Sequence, residues 1–299
     1  MRTQIKFIIN PVSGRTKGGV NVPDLLNQLL DTEQYEPEIV FTRYAGHATE
    51  IASQAATAGV SVVCAVGGDG TVNEVARGLM GTQTALAILP KGSGNGLARH
   101  LGIPMNLSHA INILNQGEPS AIDACTINNH PFFCTAGIGF DAHVSSVFAA
   151  STRRGLQTYV QMVLREFFTF QPQKAILRLN GEQLETQCFV VAFANASQYG
   201  NNAYIAPMAD IRDGLLDVCL IRHLNLRKAI GISYGLITKQ IATSPDAEYF
   251  RTREILVTSE HAFKFHADGE YIGESTSFNV QISPLALRVI VAREEGRNG

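Results

Sequence analysis

Over its first 120 residues the chain alternates short apolar runs with stretches of helix length. Strands are predicted over Ile5 to Asn10 (IKFIIN), Glu36 to Thr42 (EPEIVFT), Val60 to Val66 (VSVVCAV) and Ala85 to Pro90 (ALAILP). Between them, apolar residues at helical spacing predict helices over Val22 to Thr32, Gly46 to Ala58 and Thr71 to Met80, with further helical pieces at Asn95 to Gly102 and Ser108 to Gly117. Strand alternating with helix predicts a parallel sheet covered on both faces, with any ligand site at the carboxyl ends of its strands. From about residue 121 the pattern becomes strand after strand, punctuated by Asn128-Asn129, Asn180-Gly181 and Asp268-Gly269, which are turn-forming pairs. This half reads as an antiparallel sandwich interrupted by two apolar-rich helices, 153 to 170 and 225 to 241.

A length of 299 residues with 45% hydrophobic residues suits two cores. The expected division is an α/β domain over 1–121, a β-sandwich over 122–284 and a terminal strand over 285–299. A net charge of −2 with scattered Lys and Arg lacks the footprint of a nucleic-acid binder. The five cysteines sit in apolar runs without metal or redox spacing, and read as small core residues of a reducing compartment. No signal sequence and no run of about 18 apolar residues is present, so a cytoplasmic protein without a transmembrane segment is expected. Exposed sandwich edges would suit a homodimer.

The candidate chemistry lies in three loops that each follow a predicted strand: NPVSG (10 to 14), GGDGTVNE (67 to 74) and KGSGNG (91 to 96). On a parallel sheet all three emerge at one edge, where bare backbone N–H groups can converge on an anion. The loops contain neither G-x-x-x-x-G-K-[ST] nor G-x-G-x-x-G, so P-loop and dinucleotide readings fail. Asp69 places a carboxylate among these glycines. A divalent cation between it and a phosphate would account for that charge; a cap on the helix beginning near Thr71 is the structural alternative.

Together with DGLLD (213 to 217) and ADGEYIG (267 to 273), these loops resemble the diacylglycerol kinase catalytic-domain family, which includes soluble bacterial lipid kinases and sphingosine kinases. The motifs occur in family order across nearly the whole chain. GGDG alone is shared with NAD kinases, whereas DGLLD and DGE favour the lipid-kinase branch. The resemblance implies an amino-terminal α/β domain of NAD kinase and diacylglycerol kinase type, a carboxyl-terminal β-sandwich carrying the lipid, and transfer of the γ-phosphate of ATP, with Mg²⁺, to a lipid hydroxyl. It also implies that Asn10, Pro11, Val12, Ser13, Gly14, Thr42, Gly67, Gly68, Asp69, Gly70, Thr71, Val72, Asn73 and Ser93 line the ATP site. Asp213, with Asp210 and Leu215 carbonyls, is implied to hold a structural Mg²⁺. Asp69, Asp268 and Glu270 are the implied catalytic acids, Glu270 being the usual candidate base.

The partner implied is a lipid at the membrane surface, with transient association of an otherwise cytoplasmic enzyme. Many bacterial relatives read G-T-x-N-D in the third loop, whereas this chain has Gly96 after Asn95. That departure resembles the sphingosine kinases and leaves the acceptor open among diacylglycerol, phosphatidylglycerol and sphingoid bases. NAD kinase and a non-catalytic nucleotide-binding regulator are the alternatives. Lys17, Arg43 and Lys91 stand near the loops as candidate phosphate partners. His266, beside the DGE turn, reads as a polar residue on an alternating strand, and Arg153, Arg154 and Arg165 would face anionic headgroups.

Overall fold

The computed structural model describes residues 2–13, 21–151 and 156–293. The chain divides into two compact units, one formed by residues up to Ile122 together with those from Leu285 onward, the other by Asp123–Pro284. Gly14, Lys17, Arg153 and Arg154 lie outside the described residues.

In the first unit β1 (Thr3–Ile9), β2 (Tyr35–Phe41), β3 (Val62–Gly67) and β4 (Ala85–Pro90) alternate with α1 (Val22–Leu29), α2 (His47–Thr57) and α3 (Asp69–Leu79). The short α4 (Gly96–His100) and then α5 (Leu107–Gln116) follow. The strands pair in parallel in the order β2-β1-β3-β4, with Phe7 opposite both Ile39 and Cys64. Every residue of β3 and β4 is buried, so VVCAV is an unbroken apolar run rather than an alternating one. Helix α1 stops three residues short of the predicted Thr32: the Asp31 carboxylate accepts the N–H groups of Glu33 at 3.0 Å and Gln34 at 3.2 Å, a local turn that competes with further helix. Helices α2 and α3 approach closely because α2 buries Ala48, Ala52 and Ala55, while a Cβ on Gly78 would come within 2.6 Å of the Thr49 carbonyl oxygen.

The second unit is antiparallel. After β5 (Glu118–Ile127) come β6 (His130–Phe132), β7 (Thr135–Gly139), α6 (Phe140–Ala150), α7 (Leu156–Phe167), β8 (Gln173–Leu179), β9 (Glu182–Cys188), β10 (Val190–Ala194) and β11 (Leu216–Ile221). Helix α8 (Leu226–Thr238), β12 (Glu248–Thr252), β13 (Glu254–Ala267) and β14 (Glu270–Val291) complete the chain. The order is β12-β11-β10-β7-β13-β14, and the β8–β9 hairpin joins β13. Beyond Leu285, β14 belongs to the first unit, where Val289 pairs in parallel with Leu86 of β4.

Alternation along β10 creates two cores. Val191 and Phe193 face the sandwich interior with Ile138, Leu177, Val218, Phe265 and Phe278, whereas Val190, Ala192 and Ala194 face a second cluster with Phe189 and Ile232. Val163 and Phe167 of α7 and Leu236 of α8 pack on that second cluster, so both helices cover one face of the sheet. The turn pairs behave as read: Asn128, Asn129, Asn180, Gly181, Asp268 and Gly269 all have positive φ. The expectation of two helical insertions is corrected to three among the described residues, because α6 follows directly on β7 within the stretch expected to run strand after strand.

Candidate active site

The carboxyl ends of the parallel strands bring the three loops of the first unit together. Asn10 takes its N–H to the Val66 carbonyl at 3.1 Å and its Nδ2 to Thr71 Oγ1 at 3.2 Å, while its Oδ1 accepts the Val12 N–H at 3.0 Å. Lys91 donates its N–H to the Gly67 carbonyl at 2.7 Å, and Thr42, after β2, donates to the Ile9 carbonyl at 2.9 Å. Pro11 and Val12 are exposed, as is Ser93, whereas Thr71, Val72 and Asn73 are buried in α3, with Asn73 Oδ1 accepting from Arg77 at 3.1 Å.

The glycines divide by what surrounds them. A Cβ on Gly92 would come within 2.5 Å of the Gly68 Cα, one on Gly94 within 2.5 Å of Asp69 Oδ2, and one on Gly67 would strike the Thr71 side chain. Gly92 and Gly94 are demanded by packing of the third loop on the second, and Gly67 by the first turn of its own helix. Gly70, exposed in the first turn of α3, would meet nothing within 4 Å. The fold leaves open space there, over the amino end of a helix whose unpaired N–H groups favour anions.

Asp69 is the first residue of α3, and Gly68 rather than Asp69 is its N-cap. The carboxylate reaches across to the third loop, where Oδ2 accepts the Asn95 N–H at 2.8 Å and Oδ1 the Gly96 N–H at 2.7 Å. Asn95, buried and left-handed at φ 55, closes that loop on itself through two bonds to Gly92. Sequence reasoning passed over both Asn95 and Glu74. The Glu74 carboxylate accepts the Gly46 and Ala48 N–H groups at 2.9 and 3.1 Å, filling the amino end of α2 so that no anion site remains there.

In the second unit the DGE turn is held from two sides. Asp268 accepts the N–H groups of Phe133, Cys134 and Thr135 at 3.0, 2.8 and 3.1 Å, so both of its oxygens are engaged with backbone. His266 is 2% exposed; its Nδ1 accepts the Gly269 N–H at 3.3 Å, which leaves the proton on Nε2 to bond Asp141 Oδ2 at 3.2 Å. Tyr199 donates to the same Asp141 oxygen at 3.1 Å. This buried pair fixes the turn, and Glu270, first residue of β14, follows it exposed to solvent. His266 is therefore a buried anchor of the DGE turn, more than a polar residue of an alternating strand.

DGLLD closes on an internal cation. Asp213 Oδ1 accepts the Leu215 N–H at 2.9 Å, its Oδ2 pairs with the Arg251 guanidinium, and Asp210 Oδ1 accepts the Arg212 N–H at 3.0 Å. Arg251 stands opposite Asp217 in the β11–β12 register and lies 3.5 Å from its Oδ1. Burial pushes the Asp217 carboxyl up to about 6 against the pull of Arg251, with Asp213 adding to the rise. Among the described residues no group of three or more His, Cys, Asp and Glu is placed to hold a metal ion. Of the residues expected to hold a structural Mg²⁺, Asp213 thus has its Oδ1 on backbone and its Oδ2 on Arg251, and the Asp210 carbonyl accepts the Asp213 N–H at 3.4 Å.

An α/β unit with three glycine-rich loops at the carboxyl ends of its parallel strands, joined in one chain to an antiparallel sandwich, defines the class. Residues 4–127 match the diacylglycerol kinase catalytic domain and residues 134–291 the YegS C-terminal NAD kinase beta sandwich-like domain. A protein of Chromohalobacter salexigens named "Probable lipid kinase YegS-like" is 32% identical over 81% of this chain and 79% of its own length. The protein of Bacillus subtilis named "Diacylglycerol kinase" is 28% identical over 90% of each chain. A crystal structure of a diacylglycerol kinase from Bacillus anthracis shares the fold, with a TM-score of 0.76 at 19% identity over 96% of each chain. The chain belongs to the diacylglycerol kinase catalytic-domain family, in the branch that carries the YegS-type sandwich.

Proposed function

We propose that the protein is an ATP-dependent lipid kinase that transfers the γ-phosphate of ATP to a lipid hydroxyl at the membrane surface. The observation that carries this reading is the cluster of three loops at one sheet edge, with open space over Gly70 and a carboxylate, Asp69, fixed among them. Phosphoryl transfer asks mainly for positioning and charge stabilisation, which backbone N–H groups in rigid loops provide. In this reading Asn10 to Gly14, Thr42, Gly67 to Asn73 and Ser93 hold the nucleotide. Thr71 and Asn73 support it from the buried side, whereas Val12, Gly70 and Ser93 are exposed. A Mg²⁺ ion bound with ATP would supply charge neutralisation for the transferred group.

Asp69 holds the second and third loops in register and presents its carboxylate with fixed orientation. Glu270 is the proposed general base for the acceptor hydroxyl, and Asp268, saturated by three backbone donors, positions it. The acceptor is a lipid whose free hydroxyl lies near the bilayer surface, with diacylglycerol the first choice; Gly96 keeps sphingoid bases and phosphatidylglycerol in the test panel. Incubation with γ-labelled ATP and diacylglycerol, phosphatidylglycerol, a sphingoid base, ceramide or NAD separates the readings. Label in an organic-extractable product is expected. Label in aqueous NADP would make the protein an NAD kinase, and nucleotide binding without transfer would make it a regulator.

A further inference from the structure

Helix α8 is apolar on two opposite sides. Ile232 and Gly235 are buried against the second core of the sandwich unit, while Leu226, Ile230, Tyr234 and Ile237 form a stripe on the other side that is 56%, 65%, 62% and 70% exposed. Their spacing of four, four and three residues keeps them on one helical face. Helix α7 covers the same face of the sheet and repeats the arrangement: Val163 and Phe167 pack inward, and Val160, Leu164 and, just past its end, Phe168 are exposed at intervals of four. Two parallel-facing demands are thus unusual for a surface helix, which ordinarily turns polar residues outward. Exposed apolar stripes of this kind mark an interaction site.

The charges around the stripe select the partner. From Val218 to Pro245 the sequence has no Asp or Glu, while Arg222, Arg227, Lys228 and Lys239 fall within it. Arg222 is neutralised by Glu248 and Lys228 by Asp246. Arg227 and Lys239 remain exposed at the two ends of α8, Lys239 lying over the Tyr204 ring at 4.5 Å. On α7, Arg165 is 86% exposed beside the apolar stripe and lies 3.7 Å from the Glu166 carboxylate, so it adds no unpaired charge to the set. Apolar side chains flanked by cations, with acids paired away, are what an anionic bilayer surface binds: the apolar residues enter the headgroup boundary and the cations meet lipid phosphates.

We propose that the outer faces of α7 and α8 dock the protein on anionic membrane, with Ile230, Tyr234 and Ile237 inserting and Arg227 and Lys239 engaging headgroups. This deepens the lipid-kinase reading and rests on it for its purpose, although vesicle binding can be measured without any transfer reaction. The test uses the full chain with sucrose-loaded vesicles of phosphatidylcholine, with or without phosphatidylglycerol, in a sedimentation assay. Wild type is expected to partition onto the anionic vesicles. The double variant I230E/I237E, both positions being exposed, should lose at least about 10-fold in partition, and R227Q/K239Q about 5-fold per cation removed, with unchanged melting temperature.

On a short-chain, water-soluble diacylglycerol the I230E/I237E variant should turn over as wild type does, while its rate on vesicle-embedded lipid falls. Equal vesicle partition by I230E/I237E and wild type overturns the docking face and leaves the kinase reading standing. Absence of transfer to any lipid, with partition lost as expected in the variant, sinks the kinase reading and leaves the docking face. A dimer in sedimentation velocity that becomes monomeric in I230E/I237E with partition unchanged would show instead that a second copy covers this face.

Discussion

A methyl group added at Gly70 would meet nothing within 4 Å, whereas one at Gly92 would press on the Gly68 backbone. The two glycines therefore predict opposite phenotypes. Gly92→Ala should cost about 1 to 3 kcal/mol by forcing the second and third loops apart. Gly70→Ala sits in a helical turn and should leave the melting temperature unchanged or slightly higher, while ATP affinity falls by about tenfold or more as the methyl enters the phosphate space. Thermal unfolding and nucleotide titration of both variants check this; an unchanged affinity in Gly70→Ala would detach that space from the nucleotide. Asp69 is harder to isolate, because its carboxylate is also the tether of the Asn95 and Gly96 N–H groups. The sequence shows a charge among glycines, but backbone donors 26 and 27 residues away leave no mark in it.

At the scale of elements, the DGE turn separates support from chemistry. Asp268→Asn places an amide against N–H donors that the carboxylate accepted, and should cost about 1 to 3 kcal/mol together with turnover. Glu270→Gln touches an exposed side chain and should keep stability while kcat falls about 10² to 10⁴-fold; near wild-type turnover in that variant would remove Glu270 from the mechanism. The DGLLD segment makes a further prediction. Arg251→Met leaves Asp213 and the buried Asp217 without their cation and should destabilise the sandwich by about 1 to 3 kcal/mol. An unchanged melting temperature in Arg251→Met would detach that guanidinium from the stability of the sandwich. Type I′-like turns were legible because Asn-Asn, Asn-Gly and Asp-Gly carry their own backbone preference. Helix α6 was not, because Phe140–Ala150 continues the buried, glycine-punctuated run of β7 without a cap residue: its N-cap is Gly139 at φ 100, whose added Cβ would strike the Phe189 carbonyl oxygen.

For the molecule as a whole, both units follow from periodicity: unbroken apolar runs gave buried parallel strands, and alternation gave two cores on opposite faces of β10. No helix among the described residues is long and apolar enough to cross a membrane. All five cysteines are buried, and burial pushes the thiols of Cys188 and Cys219 up to about 12 and that of Cys125 well above its usual value. A thiol reagent at pH 8 should therefore label the native protein slowly and release all five groups only on denaturation; one rapidly reacting equivalent would contradict the packing. What periodicity could not supply was the long-range polar wiring: Asp268 to the β6–β7 segment, His266 to Asp141, and Arg251 to DGLLD. Each joins residues whose separation in sequence hides their contact.

The central claim is γ-phosphoryl transfer to lipid. ATP labelled at the γ position, and separately at the α position, should be supplied with diacylglycerol in anionic vesicles, followed by organic extraction. The account predicts that γ label alone enters the organic phase and that Asp69→Asn lowers this by about 10² or more. Both labels remaining in the aqueous phase, with ATP still bound by the protein, would contradict it.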